Sequence, residues 1–587
     1  MIGSTMARAG GLARTAALSA LLAAAGAAPT LLHAQGFAST DPYQDRVIES
    51  VSIEIANPSR DDAVNRRVED TVRRALELFP GQRYAEDRIG FAEGVARRNR
   101  EVGNIEHAVT PGAAGGVDVT FTVEIADVER ADDGRGYFLT WDRADLPTLY
   151  DRGGTVLRYR LDALALFYSN TNAWYGRPDL MLAGNPLVEG EPAGEGFDPW
   201  IEGYLHYGLY GITPVTDAFY VYGGLSAITS VSNGQELFTD RDRRYTGVED
   251  AYLGFVTGRT TARGDRLAFN FTVGRQRFEL ANAFLIANTA ANGQERAALQ
   301  ANARWSADLL VLGQVAWNDL KFEAFYVDPD ELPPLDTDTR IVGVNLEAEP
   351  APGLFLGASY LTVPESSQNY FGPTGTIIGT REGLEVIDAR FTYRPQPQGQ
   401  QGFFFGGEVA RQTNRNFDMD ARAAYAEVGY DWPQARWSPS VSYRLSYFSG
   451  DDADTGTYER WDPLLSGGNG EQWVQGANHF KVVQDSNVIA HRVQARFRVA
   501  PRVELVPQLW AFYADSETNI GGNPALSFLG DDEYGYEANL TAKWFVSRNV
   551  YVHGHVAYTV PGNAVSEALD GTEKDWWSAM VFVRYAF

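Results

Sequence analysis

Cysteine is absent from the 587 residues, which excludes disulfides, thiolate metal sites and cysteine nucleophiles together. Lysine is scarce: of 50 cationic residues only Lys321, Lys481, Lys543 and Lys574 are lysine. Charge of that sign is outweighed by 76 Asp and Glu, giving a net charge of −26. Such a balance argues against a nucleic-acid partner, whose phosphates need a basic surface. After the N-terminal region, no segment reaches the roughly 18 consecutive apolar residues of a spanning helix, so any membrane role must be carried by strands. What is abundant fits strands: 31 Phe, 29 Tyr, 13 Trp and 59 Gly suit aromatic girdles and many turns. A chain of this length exceeds one ordinary globular core, leaving several domains or one very large closed sheet.

Residues 1–34 contain Arg8 and Arg14, then a small-residue apolar stretch from Thr15 to Ala28, and end in Leu32-His33-Ala34. This pattern predicts a secretory signal peptide cleaved after Ala34, too short for a comfortable span and followed by no stop-transfer pattern. Its removal takes away two positive charges and deepens the net charge from −26 to −28.

Residues 46–127 have a grammar of their own. Val47 to Ile55 alternates as a strand, Asp61 or Asp62 can cap a helix running to Leu78, and Pro80-Gly81 ends it. Val64, Val68, Val72, Ala75 and Leu76 recur at helical spacing. A second helix over Glu86 to Arg100 and strands over Ile105 to Val109 and Val117 to Ile125 follow. This order of strand, helix, helix, strand, strand, with "LFPGQRYAEDRI" and "GGVDVTFTVEI" in it, resembles a single POTRA module. The resemblance implies a periplasmic domain that docks another chain, often by strand addition. A structural cap under the barrel, with no partner, is the other reading.

From 135 to 587 the chain becomes segments of about ten residues alternating apolar and polar, as expected of an all-β transmembrane antiparallel barrel. It ends with Phe582, Arg584 and Ala586 alternating with Val583, Tyr585 and Phe587, which resembles the outer-membrane assembly signal. Alternation also sorts side chains between lipid and lumen. In Ile387 to Arg394, only the face of Asp388, Arg390, Thr392 and Arg394 can line water. The same rule gives lumen cations Arg158, Arg160, Lys321, Arg390, Arg394, Arg444, Arg496, Arg498, Lys543 and Arg584. Opposing them are Asp162, Glu202, Glu323, Glu347, Asp388, Glu427, Glu504 and Glu537. The interior is therefore far less acidic than the whole chain, and a neutral polar or anionic solute suits it. Cross-pairing that stiffens the wall is the plainer role for any one of these residues.

"VEDAYLGFVTGRTTARGDRLAFNFTVGRQRFELANAFL", "REGLEVIDARFTYRP", "SYRLSYFSGDD", "YERWDPLLSGGNGEQWVQGANHF" and "DSNVIAHRVQARFRVAPRVELVPQLWAFYADS" together resemble the alginate-export porin family. Its Tyr/Phe-x-Ser-Gly-Asp and x-Asp-Pro-Leu motifs are matched by Phe448 to Asp451 and Asp462 to Leu464, and its late strands by Asn487 with Pro501. The resemblance implies a monomeric barrel in outer-membrane lipid, of roughly eighteen strands, passing a polysaccharide or related solute through an arginine-rich constriction. Arg275 carries the Gly-Arg-Gln match, although its parity with Phe269, Phe271 and Val273 points to lipid unless a bulge intervenes. The family needs no POTRA-like domain, and the nearly balanced lumen charge departs from a channel for alginate itself.

Enzyme chemistry finds no footing: no nucleophile, base and oxyanion set can be assembled. His553 and His555 share lumen parity and His479 lies twelve residues before His491, but without a third ligand these read as wall-bonded histidines. Asp451, Asp452 and Asp454, or Asp531, Asp532 and Glu533, could hold Ca²⁺, the blander reading being solvated loops. The stretch Ser466 to Gly470 lacks a phosphate cradle's strand-to-helix context. A passive channel is the leading reading, and an assembly or secretion factor that uses the N-terminal domain is the alternative.

Overall fold

The computed structural model describes residues 43, 45–58, 62–96, 102–125 and 146–586, the last without 184, 186–187, 189, 191, 217, 262–264, 397–399, 468–473, 501 and 548. The signal peptide 1–34, Asp61, residues 97–100, 126–127 and 135–145, Gly468 to Gly470, Pro501 and Phe587 lie outside the described residues.

The N-terminal unit contains β1 (Ile48–Ile55), α1 (Asp62–Leu76), α2 (Glu86–Ala96), β2 (Val102–Pro111) and β3 (Val117–Ile125). The sheet order is β1-β3-β2, with β1 parallel and β2 antiparallel to β3. A parallel pair needs a long crossover, and the two helices supply it. Val68, Val72 and Leu76 of α1 and Ile89, Ala92 and Ala96 of α2 are buried in one cluster with Ile48, Val119 and Phe121. α1 stops at Leu76 because Glu77 adopts φ 47, two residues before the expected end. β2 is longer than expected, its pairing with β3 running from Val102 to Pro111. Glu49 locks the β2–β3 turn by accepting the N–H groups of Ala114 at 2.9 Å and Gly116 at 2.5 Å.

Among the described residues, eighteen antiparallel strands form a closed barrel, from Thr155–Thr171 to Trp576–Ala586. The last pairs with the first, from Trp577↔Thr171 to Ala586↔Asp162. The short strand Thr148–Arg152 pairs with the lower part of the first strand. Connections at one end are tight, as at Gly153-Gly154 and Asn318-Asp319, while 172–196, 278–305, 449–487 and 514–532 at the other end are long. Barrels of this kind put short turns in the periplasm and long loops outside.

The alternation read from the sequence is the physical fact of the wall. Leu253 (66% exposed), Ile387 (65%) and Val409 (58%) face outward, while Asp388, Arg390, Glu408 and Gln412 on the same strands are buried inside. Exposed Tyr360, Tyr393, Phe403, Tyr443, Trp544 and Trp577 add an aromatic component to the outer surface. The largest buried apolar cluster gathers Trp174, Phe284, Leu285, Phe448, Trp461 and Phe512, because the long loops fold inward and meet there. Ile387→Arg, on the outward face of the wall, should lower barrel stability by up to about 2–4 kcal/mol, read as an earlier urea transition in vesicles. The same change at inward-facing Gln494 should cost much less.

Candidate functional site: the lumen and its infolded loops

Two long loops narrow the interior. The first, 278–305, is rich in alanine, and Ala283, Ala287, Ala297, Ala298, Ala301 and Ala303 are all buried, since small side chains let a backbone lie close to the wall. Its polar backbone groups then need partners. Glu202 on the wall accepts the N–H groups of Gln300 at 2.8 Å and Ala301 at 2.7 Å, and Glu249 accepts those of Trp305 at 2.7 Å and Ser306 at 3.0 Å. Ser230 donates to the Arg296 carbonyl at 2.6 Å.

Asp330 is the centre of an ion cluster at this loop. Arg296 meets it at 2.6 Å, Arg304 at 2.7 Å, and Arg275 also pairs with it. Arg275 reaches this place because the barrel bulges: the pairing register jumps between Ala307 and Leu310, and Gly274 takes φ 130. A Cβ at Gly274 would lie 2.4 Å from the Ala251 carbonyl oxygen, so only glycine fits. Arg275 is thus brought to the loop cluster and not to the lower lumen.

The second loop, 449–487, holds the motif residues. The Asp462 carboxylate receives Arg381 at 2.7 and 2.9 Å and the Tyr370 hydroxyl at 2.6 Å. Burial raises its pKa, but Arg381 and Tyr370 outweigh that and hold it below the ordinary value. Gln412 on the wall brackets the Asp462 peptide, accepting its N–H at 2.9 Å and donating to its carbonyl at 2.7 Å. Glu537 collects the N–H groups of Ala477 at 2.5 Å, His479 at 2.9 Å and Asn478 at 3.1 Å. His479 stacks on Phe512 with ring centres 4.0 Å apart, and its burial lowers its pKa to about 3. The two loops touch at Ile286 and Leu465, with Phe284 stacked on Phe448 at 5.7 Å.

Below these loops a cavity of about 660 Å³ remains, lined by Asn270, Gln276, Gln314, Lys321, Glu323 and Glu347 among others. Most of the parity-selected cations meet acids of the wall. Asp162 takes Arg160 at 3.2 Å and Arg584 at 2.9 Å, Lys321 lies 3.0 Å from Glu323 and 3.2 Å from Glu347, and Arg390 binds Asp388 at 2.6 Å and Glu347 at 3.2 Å. Arg394 sits at the short-turn rim over Phe404, paired with Asp431. Arg444 opposes Glu427 and Arg492 across the strands, its guanidinium 5.5 Å from Trp510. Arg498 reaches Glu77 of the N-terminal unit and Glu504 at 3.9 Å, which Lys543 also approaches at 3.9 Å. Arg158 donates to the Leu146 carbonyl at 2.7 Å, and half-buried Arg496 pairs by backbone with Ser440.

Sequence reasoning missed Arg492, which binds Glu427 at 2.8 Å, although its parity with Arg496 and Arg498 would have found it. It also missed Glu408, bonded by Asn282 at 2.5 Å, and the loop groups Arg381, Arg296, Arg304 and Asp330, for which alternation has no signal. His553 stacks on Phe582 at 4.8 Å and His555 bonds Thr541 at 2.9 Å. No group of three metal-capable side chains occurs among the described residues. Asp451, Asp452 and Asp531 accept backbone N–H groups of Glu459, Asp454 and Glu533, each at 2.9 Å.

The model of the alginate export family matches residues 227–578, which takes in most of the barrel and both infolded loops. The chain belongs to the alginate export family. Membership and fold together make this family member an outer-membrane channel for solute diffusion and not an enzyme. Similar solved structures include Pseudomonas aeruginosa OprD, 13% identical over 73% of this chain and 94% of that one with a TM-score of 0.42. Another is P. aeruginosa OccK2, 9% identical over 73% and 97% with a TM-score of 0.44. Likenesses this loose say nothing about the solute. No curated protein matches the chain by sequence. The motifs by which the alginate export resemblance was read, Phe448 to Asp451 and Asp462 to Leu464, are those that seat the second loop.

Asp330→Ala leaves three arginines without their shared acceptor, and removing one partner of a buried ion pair costs about 3–5 kcal/mol. Single-channel recording should then show larger, noisier conductance than the parent. Asp485, which accepts the Ser466 hydroxyl at 3.0 Å, has its pKa pushed up to about 7 by burial, against the pull of Ser466, Gln475 and Arg444. A carboxyl whose pKa is raised in the folded loop contributes stability in full below its ordinary value and loses it progressively as pH rises from there to about 7. Protease protection of the loop should fall across that interval, and Asp485→Asn should flatten the fall.

Proposed function

We propose that the protein conducts a polar oligosaccharide or polysaccharide passively, as a monomer, between the cell exterior and the periplasm. The supporting observation is the cavity of about 660 Å³, lined by polar and apolar groups in about equal measure, that persists beneath the infolded loops. Elsewhere on the lumen wall are amides and hydroxyls such as Gln494, Gln508, Asn539 and Thr541, with Gln508 and Gln494 2.7 Å apart. Hydroxyl-rich solutes exchange hydrogen bonds along such a track without tight binding, which a conducting pore requires.

The parity-selected residues Arg158, Arg160, Lys321, Arg390, Arg394, Arg444, Arg496, Arg498, Lys543 and Arg584, with Asp388 and Glu427, are proposed as wall contacts of the passing solute, and Arg275 as a group that sets the loop. Because most of these cations already meet wall acids, the reading favours neutral polar saccharide over a strong polyanion. Residues 1–34 are proposed as the export signal and 46–127 as a POTRA-like periplasmic domain.

A second reading, docking of a periplasmic partner for assembly or secretion, is favoured by one observation: the N-terminal unit has a β-α-α-β-β order and touches the barrel's short-turn end through Glu77 and Arg498. The deciding experiment is bilayer recording of the refolded mature protein with neutral and anionic oligosaccharides. Discrete conductance with reversible sugar block is expected. A wall sealed at every voltage, together with a periplasmic protein retained on residues 46–127, would replace the channel reading with the docking one.

A further inference from the structure

Charge is not spread evenly around the lumen. The cavity is bounded by the carboxylates Glu279, Asp319, Glu323, Glu347 and Glu349, against Arg277 and Lys321; Arg390, on the next strand but one to that of Glu347, divides between Glu347 and Asp388 and leaves the excess acidic. Glu347 lies on Arg340–Ala351, and in the closed sheet of eighteen strands the one nine places away is Val550–Pro561. That strand therefore faces it across the lumen.

Around Val550–Pro561 the inventory reverses. Lys543 and Arg584 are on the strands to either side, Arg158 and Arg160 on the next but one, and Arg496 and Arg498 on Val488–Ala500. In the short-turn half the wall acids among them are Asp162, shared by Arg160 and Arg584, and Glu504, shared by Arg498 and Lys543, while Glu537 on the Lys543 strand lies in the other half, bound to the second loop. Asp319, Glu323, Glu347 and Glu349 lie close to the tight turns at Asn318-Asp319 and Pro352-Gly353. The basic residues Arg158, Arg160, Arg496, Arg498, Lys543 and Arg584 are close to the turn at Gly153-Gly154 and to the strand ends at Ala500, Val503, Phe545, Val550 and Ala586. Both arcs thus occupy the short-turn half of the barrel.

We infer that the short-turn half of the lumen is a transverse-field filter, an acidic arc around Glu323 and Glu347 facing a basic arc around Arg158, Arg160 and Arg584, that favours zwitterionic or strongly dipolar neutral solutes over polyanions. Low-dielectric walls focus the field of fixed charges into a water-filled cleft. A dipolar solute turns to lie along that field and is stabilised at both ends. A polyanion gains at one arc and is repelled at the other, so the nearly balanced charge of the whole lumen does not describe what the solute meets. This inference rests on the channel reading above and deepens it by naming the solute class.

Reversal potentials in a KCl gradient test it, with three proteins compared: the parent, Glu323→Gln/Glu347→Gln, and Arg158→Gln/Arg160→Gln. The parent should be weakly selective. Losing the acids should shift the cation-to-anion permeability ratio toward anions by about twofold or more, and losing the arginines should shift it as far the other way. Asp319→Asn/Glu349→Gln, at exposed positions near the turns, gives the same direction as the first variant if buried Glu323 proves necessary for folding. A neutral trisaccharide should enter the parent more readily than an oligo-uronate of the same length, and the advantage should shrink in the acid-free variants. Strong anion selectivity of the parent, unmoved by loss of the acids, overturns the filter while leaving the channel intact. Absence of any conductance in correctly folded parent overturns both.

Discussion

A loop that crosses the inside of a barrel brings backbone N–H groups into a space with little water, and a carboxylate on the wall faces the same shortage of partners. Glu202, Glu249 and Glu537 resolve both shortages, each accepting two or three consecutive N–H groups from an infolded loop or, for Glu249, from the point where the loop re-enters the wall at Trp305 and Ser306. An unpaired buried group on either side would be expensive. The position of the loops, the size of the cavity beneath them and the apolar cluster above it all depend on this exchange.

Much of the barrel was legible because its signal has period two and repeats in every strand. Asp388 and Arg390 inside and Ile387 outside follow from alternation alone. What alternation cannot see is a third dimension: it assigns a face and not a height or a partner. Arg275 shows the limit, since a bulge beside it and the φ of Gly274 redirect a side chain whose parity points outward. The loops were illegible for the same reason. Asp462 and Arg381 are far apart in sequence and lie in segments without periodicity, yet they form the bidentate pair that seats the second loop. Glu537 and Glu202 were read as lumen acids opposing cations, and their main partners are backbone amides.

The N-terminal unit was readable in outline because its helices and strands carry different periods. Its ends were not, since a left-handed Glu77 rather than Pro80 stops α1. The unit also explains an otherwise unbalanced rim: Arg498 divides its charge between Glu504 of the wall and Glu77 of α1's trailing turn.

Asp162 has a consequence for how the molecule comes into being. It lies on the first barrel strand and is bound by Arg584 of the last, 422 residues later, beside the backbone ladder from Trp577 to Ala586. Contacts of such sequence separation form late and slowly, because the loop entropy must be spent before they return anything. The closing seam therefore cannot form until nearly the whole chain has been synthesised and exported. Until then the first strand carries an exposed edge, and its acid has only Arg160 of the same strand in place of Arg584, the state in which an unfinished barrel most needs protection from aggregation.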